Sequence, residues 1–279
     1  MTEYVRPASL DDALRARAEH TDWSVLAGGT DLMVGAVSRP EPPGVIDLFG
    51  LRELVGVARD AGALRIGAAT TYAGLLASAL VRDELPALWQ AAREVGAMQI
   101  QARGTIGGNV ATSSPVGDTL PCLLALDAVV ELASTSARRE LPYADFITGY
   151  RRTALGPDEL IVGLRIAVPA AGTVQVWRKV GTRRAQAISK VMLAATARRD
   201  EAGRISQARV ALGAVADRPI RARAVETVLV GSVPSEELAR RAADALATEI
   251  TPITDVRSTA DYRLEVAKNL VARFVRSLA

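Results

Sequence analysis

The chain has 279 residues, of which 49% are hydrophobic and 23% are charged, and its formal net charge is +3. At about 150 residues per domain, this length predicts two compact units that can each bury a core. No apolar stretch approaches the ~20 residues that cross a bilayer, and the N-terminus lacks the cationic start and apolar core of a signal peptide, so we expect a cytoplasmic protein without a transmembrane segment. The 34 basic residues face 31 acidic ones without forming a basic run, which argues against nucleic-acid binding.

Cysteine and histidine each occur once, as Cys122 and His20. This excludes an internal disulfide, a cysteine-held iron–sulfur cluster and a His/Cys zinc site within the chain. Cys122 lies in an apolar stretch with helical spacing, so we expect a buried thiol, and His20 closes a predicted surface helix as a solvated or capping residue. We therefore assign neither a metal site nor a catalytic residue.

The first 50–55 residues predict a small lobe. Ser9 starts a helix with one apolar face, and a strand over 23–27, helical turns over 30–37 and a strand over 44–48 follow, with a loop over 39–44. Six further segments complete the predicted first domain. They are a hairpin over 54–72, two helical stretches up to residue 96, a Gly-, Ser- and Thr-rich loop over 101–118, a helical stretch to Leu126, another hairpin over 128–143 and a strand over 158–169.

After residue 170 the pattern changes to three long antiparallel strands, over 172–181, 187–199 and 205–216, and then to three helical segments. We place a domain boundary there, between 1–170 and 171–279. Because strands and helices do not alternate strictly, the fold class predicted is α+β rather than a doubly wound sheet.

Two glycine-rich loops are the candidate binding elements. In "AGGTDL", residues 27–32, and "GTIGGN", residues 104–109, glycine permits a positive φ and lets successive backbone N–H groups converge on a ligand oxygen, which suits phosphate. We expect the carboxylate of Asp31 to turn away and cap the following helix. Neither loop matches G-x-G-x-x-G, and no Lys-Ser/Thr follows, so the sequence is neither a Rossmann nor a P-loop nucleotide site. The alternative is that both glycine pairs are ordinary tight turns.

Five motifs follow one another along the chain: "AGGTDL", "IGAATTY", "TIGGNVATSSPVGD", "WRKVGTRRAQAISKV" and "STADYRLEVAKNLVARFV". Taken together and in this order, they resemble the FAD-binding medium subunits of molybdenum hydroxylases, the carbon monoxide dehydrogenase and xanthine dehydrogenase family. The resemblance covers essentially the whole chain. It implies a two-lobed FAD-binding domain of the PCMH type, followed by a flavoprotein C-terminal domain with a three-stranded antiparallel sheet and helices.

The resemblance also implies site residues. The pyrophosphate of FAD would be wrapped by the first loop, with Gly28, Gly29 and Thr30 closest to it, and held on its other side by Thr105, Gly108 and Asn109. Asp118 would accept hydrogen bonds from a sugar or ribitol hydroxyl, Ile161 would pack against the flavin, and Lys179 would approach its polar edge. The first-loop residues are Val25, Leu26, Ala27, Gly28, Gly29, Thr30, Asp31 and Leu32. The alternatives are a helix cap for Asp118, a buried strand residue for Ile161 and a surface cation for Lys179.

By this resemblance, the chain is an electron-transfer subunit with tight, non-covalent FAD. Its electrons would come from iron–sulfur clusters on a small partner subunit and from molybdopterin on a large one. NAD, oxygen or another acceptor would receive these electrons. The complex would contain two copies of each chain. Two alternatives remain. One is a self-sufficient flavin oxidoreductase that acts directly on a small molecule, and the other is a non-catalytic nucleotide-binding assembly module.

Overall fold

The computed structural model describes residues 2–36, 38, 40–183 and 186–279. The predicted loop over 39–44 therefore begins at a residue outside the described ranges, as do two positions of the "WRKVGTRRAQAISKV" motif, Arg184 and Ala185. None of the helices in the described ranges is long and apolar enough to span a bilayer.

The first lobe is a small parallel sheet covered by one long helix. The hydroxyl of Ser9 accepts the N–H of Asp12 and caps the helix, as predicted. The strands lie in the order β1-β3-β2; the sequence pattern did not reveal β1 because so short a strand carries too little periodicity. The elements are β1 (Glu3–Val5), α1 (Leu10–Glu19), β2 (Ser24–Leu26), α2 (Leu32–Gly35), β3 (Gly44–Asp47) and a short 3-10 helix (Arg52–Leu54).

The second lobe is built on an antiparallel sheet whose first and last hairpins are the two that were predicted. Its middle strand is the long one after residue 158, which pairs with a strand from each hairpin. The strands are β4 (Val57–Asp60), β5 (Ala63–Gly67), β6 (Val129–Ala133), β7 (Arg138–Pro142), the small pair β8 (Ile147–Gly149) and β9 (Arg152–Thr153), and β10 (Leu160–Ala167). The sheet order is β4-β5-β10-β6-β7.

Helices pack over this sheet and bury its apolar face. They are α3 (Tyr72–Ala77), α4 (Ala79–Glu84), α5 (Pro86–Arg93), α6 (Met98–Arg103), α7 (Ile106–Thr112), α8 (Leu120–Ala125) and α9 (Tyr143–Phe146). The segment over 101–118, predicted to be a loop, contains the end of α6 and all of α7. Its glycines concealed that helix from the propensity argument, but tertiary contacts outweigh the cost of glycine in a helix.

The C-terminal region contains the three long antiparallel strands and the three helices that were predicted. In the described part of the chain, its sheet has a fourth, two-residue strand, and the order is β11-β12-β13-β14. The elements are β11 (Val174–Val180), β12 (Val191–Arg199), β13 (Ile205–Gly213), β14 (Ile220–Arg221), α10 (Arg223–Leu229), α11 (Glu236–Leu246) and α12 (Ala260–Arg276). The mixed α and β composition confirms the predicted fold class.

The C-terminal sheet is buried on both faces. Leu193 and Val210 pack with the C-terminal helices, whereas Trp177, Ala194 and Ala211 belong to the core of the second lobe. Because one apolar core continues across the two regions, the C-terminal sheet is held firmly against the lobe that carries the second glycine motif.

Candidate functional site

A cavity of about 570 Å³ lies between the first glycine loop, the turn before α3, the start of α7 and strand β10. Eleven of the fourteen predicted site residues line it. They are Val25, Ala27, Gly28, Gly29, Thr30, Asp31, Leu32, Thr105, Gly108, Asn109 and Ile161. The structure thus brings together two motifs that lie far apart in the chain, while Leu26, Asp118 and Lys179 are not among the residues that line the cavity.

The first loop presents backbone donors to this cavity. Gly29 has a φ of +75°, a conformation that glycine adopts without steric cost. Among the described residues, no acceptor is found for the N–H groups of four consecutive residues, Gly28, Gly29, Thr30 and Asp31. Consecutive N–H donors on a glycine loop that lines a cavity are suited to a ligand with acceptor oxygens.

Gly28 also brings the loop close to another element. A Cβ atom at this position would lie 1.8 Å from the carbonyl oxygen of Arg103 and 3.0 Å from Cα of Gly104. Arg103 ends α6, and its guanidinium lies 3.8 Å over the ring of Phe49 in the first lobe. Only glycine therefore permits the contact that seats the loop against the second lobe.

The expectation that Asp31 caps the following helix is wrong. Its side chain makes no capping hydrogen bond, and α2 is only four residues long. The carboxylate instead lies 3.7 Å from the guanidinium of Arg151. An arginine from beyond β8 thus partly neutralises the acidic charge beside the N–H donors, which local sequence does not reveal.

We expected the second glycine motif to form a nest of free N–H groups, and this expectation is wrong. Ile106 and Gly107 donate to the carbonyl oxygens of Thr70 and Ala68, and Gly108 donates to Oγ1 of Thr105, the N-cap of α7. A Cβ on Gly107 would lie 2.6 Å from the Ala68 oxygen, so this glycine serves close packing. The donors left for a ligand here are side chains, because the Thr105 hydroxyl proton and the amide of Asn109 remain available.

Two arginines on the cavity wall were not found by sequence reasoning. Arg17, near the end of α1, donates to the carbonyl oxygen of Trp23 at 3.0 Å, its Nε has no partner among the described residues, and burial lowers the pKa of its guanidinium. Arg151 also lines the cavity. Their position in sequence is that of ordinary surface cations, so only the fold reveals that positive charge faces this space.

The rest of the wall is largely apolar. Ile161 is 7% exposed and precedes an irregularity in the pairing of β10 with β6, and Tyr72 forms another part of the wall. Burial raises the pKa of the Tyr72 hydroxyl, so this hydroxyl stays protonated. A planar ring system is the kind of group that such a surface accommodates.

Asp118 and Lys179 pair with each other, beyond the residues that line the cavity. Their Oδ2 and Nζ atoms are 2.8 Å apart, with side chains 12% and 5% exposed. Ser189 donates to the other carboxylate oxygen, and Nε1 of Trp177 donates to the main-chain oxygen of Asp118. Burial raises the pKa of the Asp118 carboxyl, although the Lys179 charge opposes this shift. The pair joins the "SSPVGD" segment to the C-terminal sheet.

The single cysteine and histidine lie where we expected. Cys122 is fully buried in α8, where its thiol contacts the carbonyl oxygen of Ala87 at 3.5 Å. His20 is the C-cap of α1, and its ring stacks on Trp23 with centroids 3.8 Å apart. Within the described residues, no group of three or more His, Cys, Asp or Glu side chains is arranged to hold a metal ion.

Two family models match the chain. Residues 1–171 match the FAD binding domain in molybdopterin dehydrogenase, and residues 177–278 match the CO dehydrogenase flavoprotein C-terminal domain.

Individual relatives extend over the same length. The chain is 32% identical to the glyceraldehyde dehydrogenase medium chain of Sulfolobus acidocaldarius, with 99% of this chain and 98% of that protein covered. It is 31% identical to the nicotinate dehydrogenase FAD-subunit of Eubacterium barkeri, with coverage of 94% and 91%.

Solved structures agree with the sequence matches. A chain of the carbon monoxide dehydrogenase from Hydrogenophaga pseudoflava, in a form that lacks the Mo-pyranopterin moiety of the molybdenum cofactor, superposes with a TM-score of 0.93 at 32% identity, and the alignment covers 98% of this chain and 95% of that one. Sequence, fold and cavity therefore lead to one conclusion: the chain belongs to the family of FAD-binding medium subunits of molybdopterin-dependent dehydrogenases.

Proposed function

We propose that this chain binds one FAD non-covalently in the cavity between its lobes and acts as the electron-transfer subunit of a molybdenum hydroxylase complex. The observation that carries the proposal is the set of four N–H groups at residues 28–31 that lack an acceptor among the described residues and that share the wall of one cavity with Arg17, Thr105 and Asn109. Backbone donors, a cation and side-chain donors are the groups that hold a pyrophosphate.

The residues present fit the cofactor that the family implies. The first loop would hold one side of the pyrophosphate, and Thr105, Asn109 and the start of α7 around Gly108 would hold the other. Ile161 would pack against the flavin. When bound, FAD supplies a group that takes up two electrons and releases them again. The chain's own residues hold it and exclude water from it.

Asp118 and Lys179 would act on the flavin by their charge and by fixing the C-terminal sheet, because their direct partners are each other. A lysine whose charge is balanced by a carboxylate supplies a weaker field than a free cation. The nearly complete burial of the pair preserves its geometry, and we propose that this geometry sets the environment on one side of the flavin.

Attachment without a covalent bond is supported by the positions of the candidate nucleophiles. Cys122 is buried in α8, and the His20 ring is stacked on Trp23; neither lines the cavity. Tyr72 lies on the wall, but its raised pKa keeps it a neutral hydroxyl and thus a poor nucleophile.

Electrons would come from iron–sulfur clusters on a small partner subunit, which receives them from a large molybdopterin subunit. The present chain has one cysteine, so the clusters must be held elsewhere. We propose two copies of each subunit in the complex, a division of this chain into two domains near residue 170, and NAD, oxygen or another acceptor as the electron sink.

Reconstitution tests the first part of this proposal. Apo chain that is shown by circular dichroism to be folded should take up one FAD per chain and turn yellow. A folded chain that fails to bind FAD at micromolar concentration would contradict the proposed function and favour the non-catalytic assembly module.

Flavin bleaching tests the second part. Substrate should reduce the flavin rapidly in the complex with the small and large subunits, and only slowly in the isolated chain loaded with FAD. Bleaching at equal rates in both samples would identify a self-sufficient oxidoreductase instead.

A further inference from the structure

Asn109 has an amide whose two ends face different surroundings. Its Oδ1 accepts a hydrogen bond from Oγ1 of Thr119 at 2.6 Å, inside the protein. Its Nδ2 has no acceptor among the described residues, and Asn109 lines the cavity. An asparagine held this way presents two N–H donors to a ligand, whereas a flipped amide would present an acceptor oxygen.

Thr119 is not on the cavity wall. It is fully buried, at 0% exposure, between the second motif and α8. Its one hydroxyl proton is donated to Oδ1 of Asn109. The result is a short hydrogen bond from a fully buried hydroxyl to the carbonyl end of the Asn109 amide.

Neighbouring contacts hold Thr119 and Asn109 in place. The main-chain oxygen of Asp118, the residue before Thr119, accepts the indole N–H of Trp177, and the Asp118 carboxylate pairs with Lys179. A Cβ on Gly117 would lie 3.0 Å from Nδ2 of Asn109, so the absence of a side chain there leaves the amide its room. The C-terminal sheet thus supports a residue that never contacts the cavity.

We propose that Thr119 is a positioning residue for the bound cofactor: it fixes the amide of Asn109 so that the N–H donors, rather than the carbonyl oxygen, face the phosphate oxygens. The inference rests on the proposed FAD site and adds a residue that acts through another. A buried hydroxyl that only filled space would affect the stability of the fold, but it would not affect cofactor affinity through Asn109.

The test compares two buried Thr→Val substitutions of the same chemical size. Thr119→Val removes the donor to Asn109. Thr196→Val removes another buried hydroxyl, 3% exposed, which donates to the carbonyl oxygen of Ala125 in the interface with the C-terminal sheet. Each apo variant is checked for thermal stability, and the FAD dissociation constant is then measured by quenching of flavin fluorescence.

We expect Thr119→Val to weaken FAD binding about tenfold, the value of one well-oriented hydrogen bond to a charged group. Thr119→Ser, which keeps the hydroxyl, should restore most of the affinity, and Thr196→Val should leave it unchanged. Wild-type affinity in Thr119→Val, or equal weakening in both Thr→Val variants, would overturn the inference.

A double-mutant cycle shows whether the effect passes through Asn109. Asn109→Ala removes the amide, so in that background Thr119→Val should cause no further loss of affinity. An undiminished loss there would also overturn the inference. If Thr119→Val does not fold, Thr119→Ala removes the same hydroxyl without placing a second methyl group there, and the same cycle with Asn109→Ala applies. Failure of the wild-type chain to bind FAD would instead contradict the proposed function.

Discussion

Gly28→Ala is the substitution for which the structure allows the clearest prediction. The new methyl carbon would lie 1.8 Å from the carbonyl oxygen of Arg103, whereas ordinary van der Waals contact begins at 3.4 Å, so the two backbone segments must move apart. Because the obstructing oxygen belongs to the backbone, no side-chain rotation relieves the overlap. We expect the first loop to move away from the end of α6 and its N–H groups to lose their common direction.

The magnitude follows from two contributions. Overpacking of this kind costs about 1–3 kcal/mol in the free energy of unfolding of the apo chain. The movement would also misdirect two N–H donors that bind phosphate oxygens. At about 1.5 kcal/mol for each hydrogen bond to a charged group, this costs a further ~3 kcal/mol in the free energy of binding, which corresponds to about a 150-fold weaker affinity for FAD.

The assay pairs urea denaturation of the apo protein with an FAD titration. Gly149→Ala is a matched control, because a Cβ there would lie 3.8 Å from its nearest neighbour, Cδ of Arg152, and Gly149 has no positive φ. The control should match the wild type in both measurements. If Gly28→Ala binds FAD as tightly as the control, the first loop does not hold the pyrophosphate and the reasoning fails.

Three further predictions concern charges. Lys179→Met should lower the free energy of unfolding by about 3–5 kcal/mol because it leaves the Asp118 carboxylate buried without its cation; urea denaturation should show the loss, and adding Asp118→Asn should recover part of it. The hydrogen bond from Arg139 holds the pKa of Glu159 below its ordinary value of 4.5, so Glu159 stabilises the fold above that pH and the contribution is lost as pH falls through the lowered pKa. The difference in free energy of unfolding between wild type and Glu159→Gln should therefore be smaller in acid than at neutral pH. A difference that urea denaturation finds constant with pH would contradict this. Arg151→Gln should weaken FAD binding, most at low salt, because it removes a positive charge from the cavity wall. The free energy of unfolding should change by less than ~1 kcal/mol, because the 3.7 Å ion pair of Arg151 with Asp31 is partly exposed. Unchanged FAD affinity across the salt range would place the Arg151 charge too far from the ligand.

The sequence by itself determined the elements whose signals are local. Alternation over 54–72 and over the long C-terminal strands predicts hairpins and an antiparallel sheet, since side chains on a strand repeat every two residues. The glycine pair at 28–29 is also a local signal, and it predicts a close backbone approach because only glycine lacks a Cβ. Order and spacing of the motifs were enough to indicate the family.

The tertiary structure decided which groups meet. No local pattern places Arg151 beside Asp31, Arg103 against Gly28, or Lys179 within 2.8 Å of Asp118, because the members of each pair are far apart in sequence and are joined only when the lobes and the C-terminal sheet pack together. Packing also decided the second glycine motif. Its N–H groups find acceptors at Thr70 and Ala68, on the distant turn that precedes α3, so the segment becomes a helix and leaves side chains to face the cavity.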